Sequence, residues 1–363
     1  MKWSLYIGKI AGIKIFIHWT FLILLLFIIQ SHLMAGHGVN EILLALAFIA
    51  AVFVCITLHE LGHALAAKHY HFKTLDINLL PIGGLARMEG LPEKPIQEFV
   101  VAIMGPLVNM AIGIILFFIL KISSVVPELT NEMHITKENF WFYLYIVNIF
   151  LAVFNLIPAF PMDGGRIFRA LLSFRLPRIK ATRIATRTGQ LIAILFVFLG
   201  FFGNPMLIFI GLFIFLGAQA ETVAEETKSN LKDVKVSDVL MHRYSTLKPS
   251  EPLSNAVSIL LDGQEQSFVI KDNGYIKGIL SRKEIISGLS EFGKDIPVEK
   301  VMKKEITYLQ ADDFLKDVMQ RFTNSSSHVL MPVFREKEFI GVLDIENISE
   351  YITIQNAINT ASK

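Results

Sequence analysis

Charge of either sign is scarce in this sequence: 18% of its 363 residues are Asp, Glu, Lys or Arg, and 34 basic against 32 acidic side chains leave a net +2. That balance excludes the broad basic field on which nucleic-acid binding depends, so no nucleic acid is expected as a partner. Cysteine is scarcer still. The single Cys55 excludes an internal disulfide framework. Its place inside an apolar run marks it as a small buried residue rather than a redox or metal group. No small-residue cleavage site follows the first apolar run, so that run is expected to be retained rather than removed as a leader.

Apolar side chains are what the sequence has in excess. They make up 53% of the residues, and the mean hydropathy of +0.52 is far from that of a water-soluble enzyme of this length. Runs long enough to cross a bilayer, about 20 residues, lie near 15–35, 41–67, 97–120, 140–157, 187–203 and 205–220. They predict six transmembrane helices, the last two hinged at Gly203-Asn204-Pro205. From Glu221 onward an ordinary soluble composition returns. The predicted organisation is a transmembrane domain over 1–222, a helical or semi-rigid linker over 223–235 and a soluble α/β domain over 236–355.

Lysine and arginine favour cytoplasmic loops. Lys2, Lys9 and Lys14 precede the first span, Lys68, Lys73, Arg87 and Lys94 follow the second, and seven basic residues from Arg166 to Arg187 follow the fourth. The loop at 121–138 is balanced by Glu128, Glu132 and Glu138. A multi-pass protein of the cell membrane is predicted, with its N-terminus and its C-terminal domain in the cytoplasm and lipid around its spans.

Into the second span the sequence sets "HELGH", residues 59–63. Ionisable groups are costly in hydrocarbon and are rarely kept there without a purpose. On a helix the spacing of four puts His59 and His63 on one face, one turn apart, so two ring nitrogens can bind one zinc ion. Glu60 is then placed to reach a water at the metal, whose pKa zinc lowers toward about 7, and to carry its proton. A chance pair of packed histidines is the competing account, and it leaves three ionisable groups in an apolar span without a ligand. Gly62 and Ala64 would let another helix approach closely.

A catalytic zinc site usually takes three protein ligands. "FNLIPAFPMDGGR", residues 154–166, supplies Asp163, after a helix interrupted by Pro158 and Pro161 and before the pliable Gly164-Gly165. The stretch 75–90 alternates apolar residues around Gly83-Gly84 and predicts a hairpin rather than a span. His18, beside Trp19, reads as an interfacial residue, and His69 and His71 as surface residues just past the second span.

The soluble part carries an internal repeat. "VSDVLMHRYSTLKPSEPLSNAVSIL" from Val236 resembles "VEKVMKKEITYLQADDFLKDVMQRF" from Val298, with Val239, Leu247 and Leu253 matching Val301, Leu309 and Leu315. Each copy, 236–290 and 298–355, ends in a strand, a turn and a strand. This order resembles a tandem pair of CBS domains, a regulatory module that often binds adenosine nucleotides.

HELGH in an apolar second helix, Asn155-Leu156-Ile157-Pro158 with Asp163-Gly164 in a later one, and "MGPLVN" from Met104 together resemble the site-2 protease family of intramembrane zinc metalloproteases (peptidase M50-like). The subgroup indicated is the one with a C-terminal CBS pair, and the likeness covers nearly the whole chain. It implies a polytopic α-helical membrane protein with about six transmembrane helices and a membrane-associated β-hairpin, plus an α/β tandem CBS domain. It further implies a zinc metalloendopeptidase that cleaves transmembrane segments of membrane-anchored substrate proteins. His59, His63 and Asp163 match the family's ligands for one zinc per chain, and Glu60 matches its catalytic glutamate. Asn155 matches an asparagine that holds the substrate or stabilises the oxyanion; a helix-packing amide is the other account of it. The hairpin is implied to dip toward the active site, where its edge holds an unwound substrate as an added strand. A CBS-regulated membrane transporter or channel is the alternative, and it leaves the HELGH spacing unexplained.

Ligand-binding CBS domains often carry G-h-x-[ST]-x-x-[DN] in each repeat. Here the copies run from Gly278 to Glu284 and from Gly341 to Asn347. Both depart from the pattern: Ser281 is the remaining phosphate contact, and Asp344 would repel a phosphate. Two roles stand side by side for the pair, a sensor of ATP or another adenine nucleotide and a homodimerising or docking module.

Overall fold

The computed structural model describes residues 4–81, 83–88, 90, 92–120, 135–263, 265–324 and 330–361. Most of the 121–138 loop, with Glu128 and Glu132, lies outside them. The chain forms two compact units, Met1–Val223 and Ala224–Lys363.

The first unit begins with a sheet whose second strand reaches into the run predicted as the first span. Residues β1 (Ser4–Ile10) and β2 (Ile13–His18) form a hairpin across Ala11 and Gly12, both at positive φ. Two such residues in a row give the turn whose twist suits a tight hairpin. Strand β2 runs parallel to β3 (Thr74–Leu80), which pairs antiparallel with β4 (Gly83–Met88), so the sheet order is β1-β2-β3-β4. The predicted 75–90 hairpin is thus one half of a four-stranded sheet. The apolar run from 15 to 35 divides accordingly: Ile13 and Ile15 alternate into the core, and helix begins only at Thr20. A run that is apolar on both helical and strand periods does not reveal which one it follows.

Among the described residues seven helices follow: α1 (Thr20–Met34), α2 (Val39–His69), α3 (Pro95–Leu120), α4 (Phe140–Asn155), α5 (Asp163–Ser173), α6 (Arg178–Phe202) and α7 (Met206–Asn230). Helices α2, α3, α6 and α7 are long and apolar enough to cross a membrane. Helices α1 and α4 are equally apolar but have only 15 and 16 residues, about 22–24 Å of helix. Large apolar side chains such as Leu26, Phe27, Phe198, Phe202 and Phe209 face outward, as lipid contact requires.

Helices α2 and α3 pack without spacer side chains. A methyl on Gly62 would lie 2.8 Å from Met104 O, and Ala64 is fully buried. The sheet covers the other side of α2, its core made of Ile13, Ile15, Ile77 and Leu79 against Phe21, Phe53 and Leu61. Helix α6 starts at Arg178, well before the apolar run predicted at 187. The basic residues between α4 and α6 are not all loop charges either. Arg169 is buried, donating from Nε and Nη2 to Glu98 Oε1 (2.8 and 2.5 Å) and from Nη1 to Glu221 Oε1 (2.6 Å), while Arg178 Nη1 donates to Glu98 Oε2 (2.6 Å).

In the second unit each repeat folds around a three-stranded sheet, β5-β6-β7 (Thr246–Leu247, Ser267–Asp272, Tyr275–Ser281) and β10-β9-β8 (Glu338–Leu343, Met331–Arg335, Leu309–Gln310). Helices α8 (Leu253–Asp262) and α9 (Arg282–Phe292) belong to the first repeat, and α10 (Leu315–Asn324) and α11 (Ile345–Ala361) to the second. The matched leucines 247, 253, 309 and 315 are all buried. The repeats exchange their leading segments. Val236, which opens the first, packs in the core of the second, with its N–H donating to Asp313 O (3.0 Å); Val298, which opens the second, packs in the core of the first, its N–H donating to Glu251 O (2.8 Å). Neither copy closes its own core.

Val236→Ala is therefore expected to lower the stability of the second unit by about 2 kcal/mol. Hydrogen exchange should accelerate first in β8, β9 and α10; acceleration limited to the first repeat would contradict the exchange.

Candidate active site

Three polar side chains from two distant segments meet beside α3. His59 and His63 project from one face of α2, and Asp163 is the first residue of α5, where the helix N-terminus favours a carboxylate. Asp163 Oδ2 lies 3.2 Å from His59 Nε2 and 3.1 Å from His63 Nε2, and the two Nε2 atoms are 3.1 Å apart. All three residues are buried. The remaining ring nitrogens point outward from this cluster. His63 Nδ1 donates to Val101 O (2.7 Å) and His59 Nδ1 to Asn109 Oδ1 (2.5 Å). Both Nδ1 atoms therefore carry protons, and with the rings neutral the two Nε2 lone pairs and the carboxylate oxygen converge on one space.

Such a convergence of neutral rings and a carboxylate is repulsive until a cation, a proton or a metal ion, sits within it. Zinc bonds of about 2.0–2.1 Å at tetrahedral angles set ligand atoms about 3.4 Å apart, close to the separations found. Among the described residues this trio is a set able to hold a metal ion, and its ring N–H groups have the oriented partners usual around metal-binding histidines. The fit also depends on an absence. A methyl on Gly105 of α3 would lie 2.7 Å from His59 Nε2 and closer still to His63 Nε2, so only glycine leaves the space open.

Glu60 is half-buried beside the cluster and faces the sheet. A methyl on Gly84 would lie 2.6 Å from Glu60 Cγ and 3.1 Å from its Oε1, which puts β4, a terminal strand of the sheet, directly over that carboxylate. Asp76 pairs with Arg87 across β3 and β4, and this holds the guanidinium above its already high pKa. Asn155 ends α4 with Nδ2 donating to Leu151 O (2.9 Å); it is not hydrogen-bonded to the trio. His18 Nδ1 is bonded to Thr20 Oγ1 (2.8 Å).

In the sequence Asn109 is only the last residue of MGPLVN, Arg169 only one of seven basic residues, and none of Asn148, Glu98 and Glu221 stands out by motif. Asn148 had a signal: it is an amide in mid-span on α4, two turns before Asn155. Val101 had none, because it acts through its backbone oxygen.

In the second unit a cavity of about 590 Å³ is lined by Arg243, Tyr244, Glu265, Asp344, Glu346 and Glu350 among others. Ser281 does not line it. Its hydroxyl is bonded to Glu284 as the N-terminal cap of α9, and Asp344 accepts from Asn347 N (2.8 Å) at the start of α11. The departures from the ligand motif thus act as helix caps.

Comparison with known proteins follows the same two-part division. The model of peptidase family M50 matches residues 47–199, and the CBS domain model matches 236–291 and 298–354. Zinc metalloprotease MJ0392 of Methanocaldococcus jannaschii is 32% identical over 346 residues, 95% of this chain and 96% of that protein. Rip3 of Mycobacterium tuberculosis is 26% identical over 303 residues, 78% of this chain and 76% of that protein. The solved site-2 protease from Methanocaldococcus jannaschii is 37% identical, covers 61% of this chain and 95% of its own, and superposes with a TM-score of 0.44. With similarity to a zinc metalloprotease running almost from end to end, the chain belongs to peptidase family M50 and carries a pair of CBS domains.

Proposed function

We propose that this metalloprotease is an intramembrane zinc endopeptidase that cleaves transmembrane segments of membrane-anchored proteins, with one zinc per chain held by His59, His63 and Asp163. The observation that carries the reading is the convergence of three buried lone pairs with both Nδ1 protons directed elsewhere. A zinc ion held there supplies Lewis acidity for a water and for the scissile carbonyl. Glu60 accepts the proton of the attacking water on its carboxylate and returns it to the leaving amine. An unwound segment laid along β4 would offer its backbone to that strand's edge, and Gly84 lets it run close to Glu60. Asn155 would turn from Leu151 O to donate to the developing oxyanion.

On this reading the chain has six spans, with α1 and α4 as the short ones, cytoplasmic N-terminal and CBS parts, and domain limits at 1–222, 223–235 and 236–355. The CBS pair is read as a regulator, self-associating or ligand-binding. Four carboxylates around its cavity, Glu265, Asp344, Glu346 and Glu350, disfavour a polyphosphate and favour an adenosine compound of little negative charge.

Metal content and cleavage separate the roles. Glu60→Gln should keep zinc and lose cleavage of a co-reconstituted membrane substrate, whereas His59→Ala and Asp163→Ala should lose both. Native-like zinc in Asp163→Ala would remove it from the ligand set, and a transporter would hold little zinc in any variant. The two glycines make a matched pair: Gly105→Ala should abolish zinc binding, and Gly84→Ala should spare it while cutting kcat at least tenfold. For topology, Glu251→Cys is suitable because the native Cys55 is buried. An impermeant maleimide should label it in inverted vesicles and not in intact cells, and the reverse pattern would turn the protein over.

A further inference from the structure

We propose that Asn148 of α4 is a positioning residue that fixes the tautomer of His59, acting through Asn109 of α3. The inference rests on the reading above that His59 offers Nε2 to a metal. The side chain of Asn109 has nearly the same shape either way round. As found, its Oδ1 accepts from His59 Nδ1. Turned over, its Nδ2 would face that nitrogen instead, and the imidazole proton would move to Nε2. That proton would then point into the space shared with His63 Nε2 and Asp163 Oδ2.

What holds Asn109 one way round is Asn148. Asn109 Nδ2 donates to Asn148 Oδ1 (2.9 Å), and Asn148 Nδ2 donates to Leu144 O (2.8 Å), with a longer contact to Cys55 Sγ (3.4 Å). A backbone carbonyl can only accept. Leu144 O therefore requires the amide nitrogen of Asn148, which turns Asn148 Oδ1 toward Asn109. Asn109 must in turn present its nitrogen to Asn148 and its oxygen to His59. The polarity set by one carbonyl passes through two amides to the imidazole. His63 needs no such chain, because Val101 O meets its Nδ1 directly.

Burial gives the chain its force. Asn109 and Asn148 are both fully buried, so water cannot repair a mismatched pair, and an unpaired polar atom at such depth shifts an equilibrium by roughly one to two powers of ten. A merely structural amide joining α2, α3 and α4 would affect stability and leave the histidine tautomer unchanged.

The test uses the full chain in micelles, labelled with [15N]histidine and stripped of metal. It reads the nitrogen shifts of His59, assigned by their loss in His59→Ala, and zinc affinity by competition with a chelator. Native protein should carry the His59 proton on Nδ1. Asn148→Leu should populate the Nε2–H form and weaken zinc about ten- to a hundredfold. Asn109→Leu should do the same, with no further loss on adding Asn148→Leu. Asn148→Asp, kept as the neutral acid by its full burial, can donate its O–H to Leu144 O and present its other oxygen to Asn109, so it should keep the native tautomer, which guards against a folding defect in the leucine variant. Native shifts or native affinity in Asn148→Leu, additive losses in the double variant, or equal losses in Asn148→Asp and Asn148→Leu would each overturn the proposal. A native protein that binds no zinc while Asn148→Leu moves the proton would overturn the metal reading alone.

Discussion

Two imidazole nitrogens and a carboxylate oxygen have to be held together inside apolar surroundings, and much of the first unit is arranged to do so. His59 and His63 need α3 close enough for Val101 and Asn109 to take their ring protons, and α3 comes that close because Gly62 and Gly105 present no side chains at the crossing. An alanine at Gly105 would fill the space where the nitrogens meet. Backbone approach, proton placement and room for an ion are thus one arrangement. Losing any part leaves a buried charge or lone pair uncompensated, which is a larger penalty than the intact arrangement's net gain.

The third member of the trio arrives on a separate support. Asp163 opens α5, and two turns further along the same helix Arg169 is locked between Glu98 of α3 and Glu221 of α7, with Arg178 completing the group around Glu98. Arg169 also stacks on Phe160, 4.9 Å from the ring centroid. A guanidinium this buried is tolerable only with its donors matched, and the match ties α5 to both neighbours. Asp163 is positioned by a helix that is clamped at its middle, at Arg169.

Within the second unit, the reciprocal placement of Val236 and Val298 makes two similar sequences one folding unit. Each sheet is too small to bury a core alone, and each is completed by the strip of chain that precedes the other copy.

Residue type and spacing by themselves pointed to the candidate chemistry. HELGH gave two imidazoles on one helical face, the Asp-Gly-Gly break gave a candidate third ligand, and the 62-residue offset from Val236 to Val298 gave the repeat, because these signals are local or periodic. Tertiary structure decided what depends on partners far along the chain. It made strands of residues 13–18, since only pairing with β3 selects strand over helix for that apolar run. It buried Arg169, which a sequence presents as one loop charge among seven, and it assigned Ser281 and Asp344 to helix caps. It also settled which way two amides face, because an asparagine's side chain carries a donor and an acceptor of equal reach, and only the carbonyl it meets in the fold chooses between them.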